Sequence, residues 1–314
     1  MNDCRSKRRF AVIGTPIEHS LSAMLHTAVF RELGLPWQTV NVDPETSEGF
    51  RRVIDDIRAG VMNYGGANVT IPYKDEAYRL CDVLSPLAQR CGAVNTLCRQ
   101  EDGTLMGRNT DVEGFLVSLK SELGLDASHL GSAVICGTGG AARAVAAGLA
   151  GAGVPKLVIL SRTDNRASQF VADLSRDEDR TVWSGASYLE AFSVMDPNET
   201  FDLCVNATPL GMVDNSAEDM PPGWFAWLKQ HARAIFDVVY RRNDLTLLVQ
   251  WAHQIGIPAT DGLQMLVEQA IRSLAFWDVP ADPDEMRAIM KQALVDEGIV
   301  RCAQNQKKKQ KRRP

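Results

Sequence analysis

Lys74 is the first residue along the chain that calls for a chemical explanation. It ends the stretch Gly66-Ala67-Asn68-Val69-Thr70-Ile71-Pro72-Tyr73-Lys74. Ala67, Val69 and Ile71 give the alternation of a short strand, and Pro72 suits the first position of a helix. Asp75 and Glu76 then put negative charge in the first helical turn, where the macrodipole favours it. A lysine at that point opposes the dipole, so helix stability does not explain it. Its charged form is disfavoured there, which suits acid–base work. A lone lysine is by default a solvated surface group, so the weight of this reading depends on what else the chain supplies. Asp111, in Asn109-Thr110-Asp111, precedes a helix bearing Phe115, Leu116 and Leu119. On local grounds it reads as that helix's cap.

The second chemical stretch is Gly137-Thr138-Gly139-Gly140-Ala141-Ala142. It follows the buried strand Ser132–Cys136 and opens a helix of small residues running to Leu149. This is G-x-G-x-x-A between strand and helix, the context that makes the pattern a dinucleotide-binding one. The first two glycines let the backbone approach a pyrophosphate, and the helix N-terminus supplies N–H donors. The next strand, ending at Leu160, leads into Ser161-Arg162-Thr163-Asp164-Asn165-Arg166. An NAD enzyme usually places an acid at the end of this strand to hold the ribose hydroxyls. Here Ser161 stands there, with Arg162 and Arg166 able to pair with a 2′-phosphate. NADP is favoured. Asp164 is the opposing sign, since a carboxylate in this turn could take a ribose. Two more strands lead to Asn206-Ala207-Thr208 and to Tyr240, and the ends of both belong at the carboxyl edge of a sheet, where ligands bind.

The elements that position these residues alternate. Phe10–Ile13 is a strand. A polar turn, Gly14 to Ser22, leads into a helix that Ser22 can cap and Gly34 stops. Gln38–Val42 is a strand, and Ser47–Ala59 is a helix with Phe50, Val53, Ile54 and Ile57 on one face. Strand, helix, strand, helix, strand implies a parallel α/β sheet. Val94–Arg99 and Thr104–Gly107 form a hairpin around Glu101-Asp102-Gly103. The α/β rhythm resumes after Ser132. The chain then ends in helices at Leu245–Gln254, Gly262 to about Trp277, and Asp282 to about Asp296. Too few strands follow Tyr240 for a third domain, so these helices are expected to return to the first.

With 314 residues the chain is long enough for two full cores. Its net charge of −5 hides a tail, Lys307 to Arg313, that carries +6 and leaves the rest near −11. An acidic body argues against a broad nucleic-acid surface, and the tail is expected to be a disordered, solvated end. Seven cysteines without a C-x-x-C pair suit reduced thiols in a cytoplasm, with no disulfide framework and no metal site. Arg5 to Arg9 before Phe10-Ala11-Val12-Ile13 imitate the start of a signal peptide, but the apolar run ends too early. No apolar stretch approaches a membrane span.

Taken together, the runs GTPIEHSLS, GANVTIPYK, GAVNTL, NTD, GTGGAA, SRT, NAT and DGLQMLVEQA resemble the shikimate dehydrogenase family, including its quinate/shikimate relatives, from about Phe10 to about Leu294. The resemblance implies two α/β domains. The first, residues 1–111 completed by helices in 262–298, would hold a mostly parallel sheet, the substrate and the catalytic groups. The second, 112–261, would be a Rossmann-type NADP domain, and 299–314 a basic tail. It implies NADPH-dependent, reversible reduction of 3-dehydroshikimate to shikimate on the route to chorismate and the aromatic amino acids, by a monomer or homodimer. Lys74 and Asp111 would be the acid–base pair. Ser20, Ser22, Thr70, Asn95, Asp111, Tyr240 and Gln269 would hold the substrate. Gly137, Thr138, Gly139, Gly140, Ala141, Ser161, Arg162, Thr163, Arg166, Asn206, Ala207, Thr208, Val238 and Gly262 would surround the cofactor. A quinate/shikimate dehydrogenase also using NAD, and a non-catalytic sensor of the same metabolites, remain the alternatives. The departures from the family pattern are Ala23, Ser161, the stretch after Tyr240 without its usual proline, and Arg108 and Val112 beside NTD. Arg108 is expected to bear on Asp111.

Overall fold

The strand β1 (Arg9–Ile13) is buried along nearly its whole length, as a strand paired on both sides and covered on both faces must be. The computed structural model describes residues 7–176, 180–212 and 221–299. The basic tail, beyond Ile299, lies outside them. β1 is flanked in parallel by β2 (Gln38–Val42) and β3 (Tyr64–Val69). β4 (Val83–Leu84), β5 (Thr96–Arg99) and β6 (Leu105–Arg108) complete a six-stranded sheet of order β2-β1-β3-β5-β6-β4. β5 is the antiparallel member, between β3 and β6, because a short hairpin joins it to β6.

The helices of this half are α1 (Ser22–Glu32), α2 (Ser47–Arg58), α3 (Lys74–Leu80) and α4 (Pro86–Cys91). Phe50, Ile54 and Ile57 of α2 are buried, and the Thr46 hydroxyl caps that helix by accepting from the Gly49 N–H. Three local expectations change. Leu21, not Ser22, is the N-cap of α1. Pro72 lies in the turn before α3, whose first residue is Lys74 itself. Ile71 falls outside β3 and is exposed, because that turn carries it away from the sheet.

α5 (Asp111–Leu123) leads to a second sheet. Its strands are β7 (Ser132–Cys136), β8 (Lys156–Ser161), β9 (Val182–Ser187), β10 (Leu203–Asn206), β11 (Ile235–Asp237) and β12 (Ala259–Thr260). All pair in parallel, in the order β12-β11-β10-β7-β8-β9. Read from the other edge this is the doubly wound order, with the switch point between β7 and β10. α6 (Gly140–Gly151), α7 (Asp164–Leu174), α8 (Tyr188–Val194), α9 (Trp224–His231) and α10 (Leu247–Gln254) belong to this half. The protein is thus α/β with two α/β domains.

α11 (Leu263–Phe276) and α12 (Pro283–Asp296) return to the first sheet. Val267, Ile271, Leu274 and Trp277 share one core with Phe10, Leu25 and Phe30. Trp277 stacks on Phe10 at 4.2 Å, and its Nε1 donates to the Leu97 carbonyl at 2.9 Å. Truncating such an aromatic costs about 3–5 kcal/mol, which sets the scale of what holds these helices in place. The buried Glu268 fastens α11 to α12 through Arg287, with Arg272 beside it. Burial pushes its pKa up, but the two guanidiniums outweigh that and hold it below the usual range.

The halves meet at a seam of small residues. Cys91, Ala93, Val112, Ala144 and Ala147 form one buried cluster where α4, α5 and α6 touch. Gly114 of α5 lies so close to α11 that an added Cβ would sit 3.0 Å from the backbone and Cβ of Gln269. α5 and α11 therefore cross in near backbone contact, and the residues at their N-terminal ends face one cleft.

Candidate active site

Between the two sheets lies a cavity of about 490 Å³. Lys74 and Asp111 face each other across its floor, with Nζ 2.6 Å from Oδ2. Their side chains keep only 13% and 8% of their exposure, so the pair is shielded from solvent screening. Each is the first residue of its helix, α3 and α5. Asp111 is not the cap: Thr110 occupies that position, and the Asp111 N–H is taken by Asn109 Oδ1 at 3.1 Å. The carboxylate is left to face the cleft.

Asn95 holds the other oxygen of Asp111, its Nδ2 donating to Oδ1 at 2.8 Å. Asn95 is fixed in turn by the Thr110 N–H, which donates to its Oδ1 at 2.7 Å. Gln269 Oε1 lies 3.5 Å from Asn95 Nδ2, and the Gln269 amide donates to Leu266 O at 2.8 Å. Ser20, Ser22, Thr70 and Tyr240 line the same cavity. Ser20 Oγ accepts the Ser22 N–H at 3.3 Å. Burial pushes the Tyr240 hydroxyl up in pKa, although the Leu21 N–H donates to it within the same serine turn. Every residue expected to hold the substrate is therefore brought to one cavity.

Asn68 belongs with them and is not among the expected residues. Its Nδ2 donates to Asn95 O, Thr96 Oγ1 and Ser273 Oγ at 3.1, 2.9 and 2.9 Å. Its Oδ1 is buried without a partner, and the residue lines the cavity. A buried acceptor left unpaired costs about 1–3 kcal/mol, so this carbonyl suits a donor on a bound ligand. The signal available in the sequence was an asparagine at a buried position of an otherwise apolar strand.

The dinucleotide loop closes the opposite wall. Gly137 adopts φ +115°, and a Cβ there would stand 2.8 Å from the Ala207 carbonyl; only glycine combines that dihedral with that approach. Gly139 caps α6 with open space above it. Thr138 is half-buried between them. Gly140 meets the stem of Lys74, where an added Cβ would stand 2.9 Å from Cδ. The loop and the lysine are thus in direct contact. Ala141, Ala207, Thr208, Val238 and Gly262 line the cavity. Gly262 abuts Val238 so tightly that a Cβ would fall 2.0 Å from its carbonyl oxygen. These groups fit a dinucleotide: a helix N-terminus with free space, backbone walls without side chains, and a polar floor beyond.

The turn after β8 lies at the outer end. Arg162, Thr163 and Arg166 are exposed, and among the described residues neither arginine forms an ion pair. Ser161 is buried, its hydroxyl donating to Thr163 O at 2.5 Å, so it shapes the turn. Asp164 is exposed and turns one carboxylate oxygen toward β9. Its Oδ1 takes the Ser187 N–H at 2.5 Å, and the Ser187 hydroxyl and N–H together hold its pKa below the usual range. Asn206 departs from expectation. Its Nδ2 donates to Asp237 Oδ1 at 2.8 Å and its Oδ1 accepts from Thr208, so the side chain braces the loop. Arg108 stacks on Phe276 at 4.3 Å, which gives it a partner other than Asp111. The loop after Tyr240, from Arg241 to Asp244, also borders the cavity. Among the described residues no cluster suits a metal ion, and no helix is long and apolar enough to cross a membrane.

Comparison with known proteins gives concordant results. The model of the shikimate dehydrogenase substrate-binding domain matches residues 12–97. The chain is 38% identical over 290 residues to the shikimate dehydrogenase (NADP(+)) of Paramagnetospirillum magneticum, covering 90% of this chain and 98% of that protein. It is 38% identical over 287 residues to the one from Methanopyrus kandleri, covering 91% and 94%. Among solved structures, shikimate 5-dehydrogenase from Thermus thermophilus in complex with NADP(H) and shikimate superposes with a TM-score of 0.72 at 32% identity, covering 91% of this chain and 99% of that one.

Proposed function

The chain belongs to the shikimate dehydrogenase family, and from that premise we propose that it catalyses the reversible, NADP-dependent reduction of 3-dehydroshikimate to shikimate. The observation that carries this reading is the Lys74–Asp111 pair at 2.6 Å, shielded in a cleft beside the dinucleotide loop, whose Gly140 packs on the Lys74 stem and whose Ala141 lines the cavity. In this assignment residues 1–111 with 262–298 form the substrate domain and 112–261 the cofactor domain. The reaction belongs to chorismate formation in the cytoplasm, a placement supported by the free thiols of Cys81, Cys91, Cys98, Cys136 and Cys204.

NADPH supplies the hydride when bound. The chain's own residues supply alignment and the proton. Lys74 donates a proton from Nζ to the carbonyl oxygen as negative charge develops on it, and takes one from the hydroxyl in the reverse direction. Asp111 Oδ2 orients that ammonium and retains a counter-charge when the proton leaves. Asn95 fixes Asp111, so the pair keeps its geometry without substrate. Ser20, Ser22, Asn68, Thr70, Tyr240 and Gln269 offer small hydroxyl and amide groups that suit a polyol. A site built to hydrogen-bond hydroxyls discriminates strongly against analogues that lack them. The purified chain given shikimate and NADP should produce 3-dehydroshikimate and NADPH. Absence of both products would dismiss the reading.

Cofactor choice follows from the β8 turn. Arg162 and Arg166 stand ready for a 2′-phosphate, and a charge-assisted bond contributes about 1.5 kcal/mol at the low end appropriate to exposed groups. Arg162→Ala should therefore raise KM for NADP by roughly tenfold and leave KM for NAD nearly unchanged. If both rise together, the arginine packs on the adenine face instead. Asp164→Ala should loosen the contact with Ser187 without altering the ratio of the two cofactors.

A further inference from the structure

Asp237 is a buried carboxylate that the reaction does not use. It ends β11 at the carboxyl edge of the second sheet and is fully enclosed. Its Oδ1 accepts from Asn206 Nδ2 at 2.8 Å and from the Val239 N–H at 3.2 Å. Its Oδ2 accepts from Thr246 Oγ1 at 2.6 Å. Asn206 passes the constraint on, because its Oδ1 takes both the N–H and the hydroxyl of Thr208, at 3.2 and 2.6 Å. One side chain thus fastens the start of the 207–212 loop and both ends of the segment from Val239 to Thr246. Ala207 and Thr208 of the first segment and Tyr240 of the second line the cavity, with Val238 just before the second.

We propose that Asp237 is a positioning residue for NADP, setting the spacing of the two cleft-lining loops through Asn206 on one side and Val239 and Thr246 on the other. The inference rests on the cofactor assigned above. A purely structural origin is a poor explanation, because the ionised form weakens the fold. Burial pushes the Asp237 pKa up to about 7 against the donors Thr246, Asn206 and Val239, and the charge of Asp261 adds to the rise. A carboxyl whose pKa is higher folded than unfolded favours the fold most when protonated. Its contribution is lost as pH rises from the ordinary carboxylate range through about 7. A neutral isostere would serve stability better at alkaline pH, whereas an ionised carboxylate is the stronger acceptor for three donors at once.

The test is Asp237→Asn, measured above neutral pH. Its melting temperature should equal or exceed that of the wild type. Its Kd for NADP by calorimetry should rise about tenfold. Wild-type affinity for NADP should weaken as pH falls through about 7, while that of Asp237→Asn stays flat. Asp261 also titrates high, pushed by burial to about 6, and Asp261→Asn should move that inflection without removing it. A lower melting temperature with unaltered Kd would mark Asp237 as structural and overturn the proposal. If Asp237→Asn does not fold, Thr246→Val removes a single donor, and an unaltered Kd there overturns it equally. A wild-type chain that binds no NADP would instead overturn the cofactor reading, which separates the two failures.

Discussion

Lys74→Ala is expected to lower kcat by about a hundredfold or more, the usual scale for loss of a general acid, with much smaller changes in KM for shikimate and NADP. In the proposed mechanism Nζ is the proton donor, placed in the cleft beside the dinucleotide loop and kept there by Asp111 at 2.6 Å. The alanine variant leaves Asp111 still held by Asn95, so the substrate pocket should keep its shape. Water can enter where the lysine stem packed on Gly140, but it lacks a fixed orientation. Loss should therefore fall on the chemical step and not on binding. Steady-state kinetics decides the matter. A variant retaining more than half of the wild-type kcat would remove Lys74 from the mechanism.

Gly262→Ala should be the most damaging change outside the acid–base pair. The added methyl would lie 2.0 Å from the Val238 carbonyl oxygen, closer than a methyl can approach. Neither side can yield cheaply. The Gly262 N–H donates to Val239 O at 3.0 Å, and Asp261 Oδ1 accepts the Leu263 N–H at the start of α11. Separating these strands of backbone displaces the cofactor wall, or α11 with Gln269, by about 1 Å, a shift that can cost on the order of a hundredfold in rate. The expected result is a loss of that size in kcat/KM for NADP, from a protein whose circular dichroism still shows both helices and sheet. Unchanged kinetics would mean that this wall does not shape the site.

The parts of the site that were readable from the residues are those whose causes are local. Strand, G-x-G and helix lie within about twenty residues, so the dinucleotide loop declares itself, and the exposed arginines of the β8 turn are placed by the strand that precedes them. Lys74 is legible as an unfavourable charge at a helix start. Asp111 is not, because it lies one place past the Thr110 N-cap and its carboxylate turns to Lys74 and Asn95, 37 and 16 residues away in the chain. Asp164 is misleading for a related reason. Its partner Ser187 is 23 residues away, at the end of β9, whose sequence Val-Trp-Ser-Gly-Ala-Ser alternates too weakly to mark a strand. Asp237 is silent in the sequence because its meaning depends on Asn206, 31 residues earlier, and Thr246, nine later. Asn206 itself reads as a ligand contact and is instead the brace between them. The return of α11 and α12 is inferable from strand count, but the stacking of Trp277 on Phe10 joins the two ends of the chain and has no local sign.

The proposed reaction in this cleft is the oxidation of shikimate by NADP through Lys74 and Asp111. The measurement that tests it most directly is the set of initial rates with shikimate and with quinate, each with NADP and with NAD, at matched concentrations. The highest kcat/KM is expected for shikimate with NADP, with residual activity for shikimate with NAD and lower values for quinate with either. Turnover of quinate with NAD exceeding that of shikimate with NADP, or no turnover of shikimate with either cofactor, would contradict it.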